Sequence, residues 1–197
     1  MRRTERRPED GGATLVELMV GMTVMAVVMA MFVTSAVQMY RAINKIQSVA
    51  AAQSQVAIAF QRLDKEVRYA EGISAPSTSS PWYVEFVTAN TGTAICTQLW
   101  LDTTAGQLKR REWTQGGSYA RVVGVPIATG VTSAQPFTVS NPDSTYNVQR
   151  LRINLTATSG SGADKSSRDV NVMFTAMNTS LSTSSATVCS EGRTIPW

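Results

Sequence analysis

From Leu18 to Tyr40 the chain carries no charged side chain over 23 consecutive positions, and between Leu18 and Val33 only Gly21 and Thr23 interrupt the apolar residues. A helix rises about 1.5 Å per residue, so about 20 such residues cross the hydrocarbon of a bilayer. The run therefore reads as a transmembrane helix. Beyond Tyr40 the pattern changes without losing its helical period. Ile43, Ile46, Val49, Val56, Phe60, Leu63 and Val67 recur three, four or seven positions apart, with alanines filling the stripe. Arg62 with Glu66, and Asp64 with Arg68, stand at i,i+4 on the polar side. Gly72 after Glu71 is the expected C-cap, and "SAPSTSSP" reads as a linker. One helix is thus expected from about Ala13 to Glu71, apolar all round in its first half and amphipathic in its second.

The rest of the chain has the period of strands. "WYVEFV" alternates Trp82, Val84 and Phe86, and "AICTQLWLD" and "GQLKRREW" flank a Thr-Thr-Ala-Gly turn that predicts a hairpin. "QRLRINLTA" sets Leu151, Ile153, Leu155 and Ala157 against Arg150, Arg152, Asn154 and Thr156, and "RDVNVMFTA" alternates through Val170, Val172 and Phe174. Each strand offers one apolar face, which suits an antiparallel sheet packed on a helix. The predicted fold class is α+β: a long N-terminal helix, then an antiparallel β head. The Ser/Gly/Ala stretch at 159–167 reads as a hairpin loop.

Composition narrows the chemistry. The 197 residues include no histidine, which removes the commonest general base and metal ligand. The net charge of +4 is partly a leader effect: four arginines and three acids lie in the first 12 residues, leaving 14 basic and 11 acidic side chains beyond them. No nucleophile elbow and no dense set of oxygen ligands is present, so neither an enzyme, a metal nor a cofactor is expected. Lys109, Arg110 and Arg111, near Trp113 and Arg121, have two readings. They are a nucleic-acid contact of interleaved cations and aromatics, or the solvated charges of an edge strand, and the second is preferred. Cys96 and Cys189 would pair in an exported domain, closing a loop whose chain entropy is about 4–5 kcal/mol; two buried thiols are the alternative.

The remaining charge in the apolar N-terminal segment is Glu17, at its mouth, five residues past Gly12. A carboxylate at the bilayer centre costs about 2.5–3.5 kcal/mol on insertion scales, less near the face, so its place needs a reason. It either caps its own helix, where acidic groups are favoured, or meets a cation when helices pack together, such as the free α-amine of a neighbour's first residue. The two roles are compatible, and assembly is the stronger reading. Arg2, Arg3, Arg6 and Arg7 put the N-terminus in the cytoplasm. A secretory signal would place its processing site after the apolar run, whereas here the best candidate, Gly11-Gly12, lies before it.

A short basic leader, then Gly12-Ala13-Thr14-Leu15-Val16-Glu17, then an apolar helix resembles the class III signal of type IV pilins and pseudopilins. The resemblance covers about 30 residues, with Ala13 where phenylalanine is commonest and Thr34 where many major pilins carry proline. It implies cleavage by prepilin peptidase between Gly12 and Ala13, N-methylation of Ala13, and Glu17 as the fifth mature residue and assembly salt bridge. "LDKEVRYAEGI" and "GQLKRREW", with Gly130-Val131 and Phe137, further resemble J-type minor pseudopilins and related minor pilins. The implied organisation is a removed leader at 1–12, a membrane and filament-core helix at 13–40, its amphipathic half at 41–71, and an exported head at 72–197. The implied protein is a minor subunit that starts or caps a pilus, competence filament or secretion pseudopilus. Its partners would be prepilin peptidase, other minor pilins, the major pilin, the assembly platform of the bacterial inner membrane, and lipid. The alternative is a pilin-anchored binding module, an adhesin or DNA receptor.

Overall fold

The computed structural model describes residues 14–90, 92–117, 123–159 and 165–194. By its internal contacts the chain forms two compact units, Met1–Asn44 and Lys45–Trp197. Helix α1, Leu15–Arg68, contributes to both. In the first unit its large apolar side chains, among them Leu18, Val24, Met29 and Phe32, are exposed. The segment Leu15–Gln47 is long and apolar enough to cross a membrane, with a mean hydropathy of 2.2.

Among its described residues the second unit joins the last turns of α1 to nine strands: β1 (Ala70–Ile73), β2 (Trp82–Asn90), β3 (Thr93–Asp102), β4 (Gln107–Thr114), β5 (Val125–Thr129), β6 (Val131–Thr132), β7 (Phe137–Ser140), β8 (Gln149–Ser159) and β9 (Ser166–Ala176). They make two antiparallel sheets where the sequence suggests one. The first has the order β1-β2-β3-β4-β5. In the second, β9 pairs with β8 along its whole length, while β6 and β7 pair with successive parts of β8. Val56, Phe60, Leu63 and Val67 of α1 share one core with Val84, Phe86, Leu99 and Leu108 of the first sheet and Leu151, Ile153, Leu155 and Phe174 of the second. Phe60 meets Phe174 edge to face, ring centroids 5.7 Å apart. Each such fully buried side chain contributes about 1.5–3 kcal/mol of burial. The α+β class and the helix-on-sheet packing read from periodicity are those observed.

The helix ends sooner than the sequence suggests, at Arg68, and Gly72 is no C-cap. Ala70–Ile73 is an edge strand paired with Thr88, Val87 and Phe86, with an irregularity between Ala70 and Gly72. The main chain of Met177, just after β9, donates to the Arg68 carbonyl at 3.0 Å and satisfies the helix end. Gly72 is small for a packing reason: a Cβ there would lie 2.9 Å from Cγ2 of Val188. The outward edge of β1 is closed by a side chain. Gln149 accepts from the Ile73 amide at 2.7 Å and returns its own amide to the Ile73 carbonyl at 3.2 Å, linking the two sheets.

The first sheet departs from the one-apolar-face rule. Glu85, Gln98 and Arg111, on the side opposite the main core, are all buried. They lie under a C-terminal segment that includes a 3₁₀ turn, Ser190–Thr194. A small second core of Cys96, Trp113, Val188 and Cys189 forms there, and Cys96 and Cys189 are joined in a disulfide with their Cα atoms 5.8 Å apart.

Candidate functional site

The N-terminal turn of α1 builds a reciprocal cap. The Glu17 amide donates to Oγ1 of Thr14 at 3.3 Å, and the Thr14 amide donates to Oε2 of Glu17 at 3.4 Å. This is the capping box, whose signature Thr-x-x-Glu stands in the sequence as Thr14 to Glu17. Of Glu17's two suggested roles, capping is visible within one chain. Its second carboxylate oxygen has no protein partner among the described residues. Glu17 sits beside the positive end of the helix dipole, where a carboxylate is favoured. Gly12 and Ala13, which carry the cleavage and methylation expectations, lie outside the described residues, as do the leader arginines.

Within the apolar run the hydroxyls are satisfied by the helix itself. Thr23 donates to the Val20 carbonyl at 2.8 Å, Thr34 to Ala30 at 2.7 Å and Ser35 to Met31 at 2.9 Å. An unpaired hydroxyl in hydrocarbon costs several kcal/mol, so closing each one locally lets the segment tolerate lipid. At Thr34 the helix runs on unbroken.

The basic triplet is not the surface that either sequence reading supposed. β4 lies between β3 and β5, so it is no edge strand where the triplet begins. Arg110 is 8% exposed and Arg111 only 2%. Arg110 projects toward α1, where Nε meets Glu66 at 3.0 Å and the guanidinium also meets Glu112. Arg111 faces the opposite way, donating from Nε to Gln98 at 2.7 Å with its guanidinium 5.1 Å from the Trp100 ring centroid. Lys109 pairs with Asp102 at 2.7 Å, which together with amide bonds from Ala105 and Thr104 holds the Asp102 carboxyl below its usual range. Each cation of the tentative nucleic-acid contact at Lys109, Arg110 and Arg111 has a partner within the head; Arg110 and Arg111 are buried, and Lys109 is partly exposed. Alternation along the strand could be read from the sequence; burial of the second face could not.

Among the described residues no group of three or more His, Cys, Asp and Glu is placed to hold a metal ion. An apolar groove is lined by Val56, Phe60 and Asp64 of α1 and by Val170, Val172 and Phe174 of β9, and it holds no convergent polar groups of a reactive kind.

No protein-family model matches the sequence, and no curated protein does. Among solved structures, a type IV-like pilin from Thermus thermophilus is similar to this chain, at 9% identity and a TM-score of 0.44. The alignment covers 64% of this chain and 95% of that one.

Proposed function

We propose that this chain is a minor pilin or pseudopilin, a structural subunit and not an enzyme. The observation that carries the reading is a single helix with two characters. From Leu18 to Tyr40 it is uncharged and exposed, with Glu17 at its mouth, and from Val56 to Val67 its apolar stripe is buried in a head. A helix apolar all round that lacks protein cover is suited to lipid or to other helices. In this reading the leader at 1–12 is removed by prepilin peptidase and the new N-terminus, Ala13, is methylated. The helix inserts in the bacterial inner membrane with its N-terminus inside, and the head lies in the periplasm or beyond. On assembly into a pilus, competence filament or secretion pseudopilus, Glu17 keeps its cap and offers its second oxygen to a neighbour's α-amine. The partners are other minor subunits, the major pilin and the membrane assembly platform.

Two substitutions separate cap from charge. Glu17→Gln retains a side-chain acceptor for the Thr14 amide but loses the anion, whereas Thr14→Ala removes the hydroxyl acceptor and leaves the anion. Filament initiation in the host should fall with Glu17→Gln and survive Thr14→Ala, which destabilises the helix start by about 0.5–2 kcal/mol. The opposite order would sink the assembly role. Mass spectrometry of the mature protein should find Ala13 first; an intact Met1 would refute the processing.

A further inference from the structure

The chain between β1 and β2 is held as a fixed loop. The Ser74 amide donates to the Glu85 carbonyl at 2.8 Å, and the Glu85 amide donates back to Oγ of Ser74 at 2.9 Å. Further on, the Ser77 amide donates to the Tyr83 carbonyl at 2.9 Å and the Tyr83 amide to Oγ of Ser77 at 2.9 Å. The Ser77 hydroxyl then donates to the Pro81 carbonyl at 3.0 Å. From the C-terminal side, the Ser185 carbonyl accepts from the Ala75 amide at 3.4 Å, and the Ser185 hydroxyl donates to Oδ1 of Asn141 at 2.7 Å. A cleft of about 480 Å³ opens between these two stretches, with Arg193 in its wall.

Arg193 is the one charged side chain among the described residues that line the cleft. Its Nε meets Oε2 of Glu85 at 3.3 Å; Glu85 is fully buried, and the arginine side chain is 34% exposed. Nε2 of Gln98 donates to the other oxygen, Oε1 of Glu85, at 2.7 Å. A buried carboxylate, itself fixed, thus grips the guanidinium from behind and sets its plane. The two Nη groups have no acceptor among the described residues. Their paired N–H bonds are the fork that matches a carboxylate with two parallel hydrogen bonds. The exposed hydroxyls of Thr78 and Ser79 have no protein partner among the described residues, and Pro76, Pro81 and Tyr83 add apolar surface.

We propose that this cleft binds an acidic saccharide, a hexuronic acid unit whose carboxylate meets the Nη fork of Arg193. Charge, size and lining select that ligand. The cleft carries one cation and no acid among its described residues, so it favours an anion. Its volume is that of a small-molecule site, well beyond what a bare carboxylate fills. Neutral hydroxyls beside proline and tyrosine surface suit a sugar ring, which has hydroxyls around its edge and C–H bonds on its face. A serine or threonine hydroxyl can donate or accept, so it pairs with either role of a sugar hydroxyl. The site lies in the head and stands whether or not the helix assembles with others.

Titration of the full-length chain in detergent micelles with D-glucuronate tests this, followed by NMR of the Thr78 and Ser79 amides and the Arg193 Nε–H. The shifts should saturate with a dissociation constant on the order of 1 mM, while the Ile153 and Leu155 amides of β8 stay unmoved. Three further probes at matched ionic strength separate the sources of affinity. D-Glucose lacks the charge, acetate lacks the ring, and N-acetylalanine carries the carboxylate on a peptide. Each should bind at least about tenfold more weakly than glucuronate. Arg193→Gln should weaken glucuronate binding by about tenfold or more. Because that change also gives up the Glu85 pair, Ala186→Trp provides a second test: it fills the cleft, leaves the pair in place and should abolish the shifts. Three results would overturn the site. They are no saturable shift with glucuronate, equal binding of any of the other three probes, and parental affinity in either variant.

Discussion

Replacing Cys96 and Cys189 together with alanine perturbs the head at a point where the consequence can be worked out. The bond spans 93 positions in sequence, enclosing β4 to β9 and part of β3. On the chain-entropy model a loop of that size constrains the unfolded chain by about 4.7 kcal/mol, and the two small side chains left in place keep most of the local packing. For a unit of roughly 150 residues each kcal/mol moves the melting temperature by about 2–4 °C, so the variant should melt about 10–20 °C below the parent. The assay is thermal unfolding of the full chain in one detergent at one pH, followed by near-ultraviolet circular dichroism of the buried tryptophans. Reductant should lower the parent to the variant's melting point and leave the variant where it is. A difference of less than about 3 °C between oxidised parent and variant would refute the account, because it would mean that the constraint on the unfolded chain contributes almost nothing.

Four substitutions test other parts of the head. Gln149→Leu strands the buried Ile73 amide and carbonyl and should cost about 2–4 kcal/mol in chemical denaturation. Gly130→Ala combines a φ of 67° with a Cβ 2.5 Å from the Thr158 carbonyl oxygen, so it should destabilise by at least about 2 kcal/mol, and a neutral result would show that the β5–β6 turn can relax. Arg111→Ala empties a buried site and leaves Gln98 short of a donor, for a loss of about 3 kcal/mol. By contrast Lys109→Ala, at a partly exposed pair, should stay within about 1 kcal/mol; equal effects would contradict the burial difference.

What could be read in advance follows from where the period of the sequence reflects one environment. The second half of the long helix and the alternation of β8 each have one buried and one wet side, so side-chain polarity reports their geometry directly. The triplet at 109–111 defeats the same reasoning. Its strand is covered on both faces, by α1 on one and on the other by residues about 80 positions later, contacts that no local pattern encodes. β1 was hidden for a related reason: its four residues continue the helical run, and its pairing with β2 is a long-range fact. At the N-terminus the signal was local and legible, since Thr14 and Glu17 are spaced as a capping box requires.

The closure of β1 by Gln149 has a consequence for how the protein behaves among copies of itself. An open strand edge invites another chain to extend the sheet, and proteins commonly answer with proline, lysine or a bulge. Here the outward amide and carbonyl of Ile73 are already occupied by one buried carboxamide. A foreign strand would have to displace that group before it could make its first pair. On the proposed function, a subunit that meets neighbours through its helix has one of its sheet borders plugged against a competing mode of association, and the plug is drawn from its own second sheet.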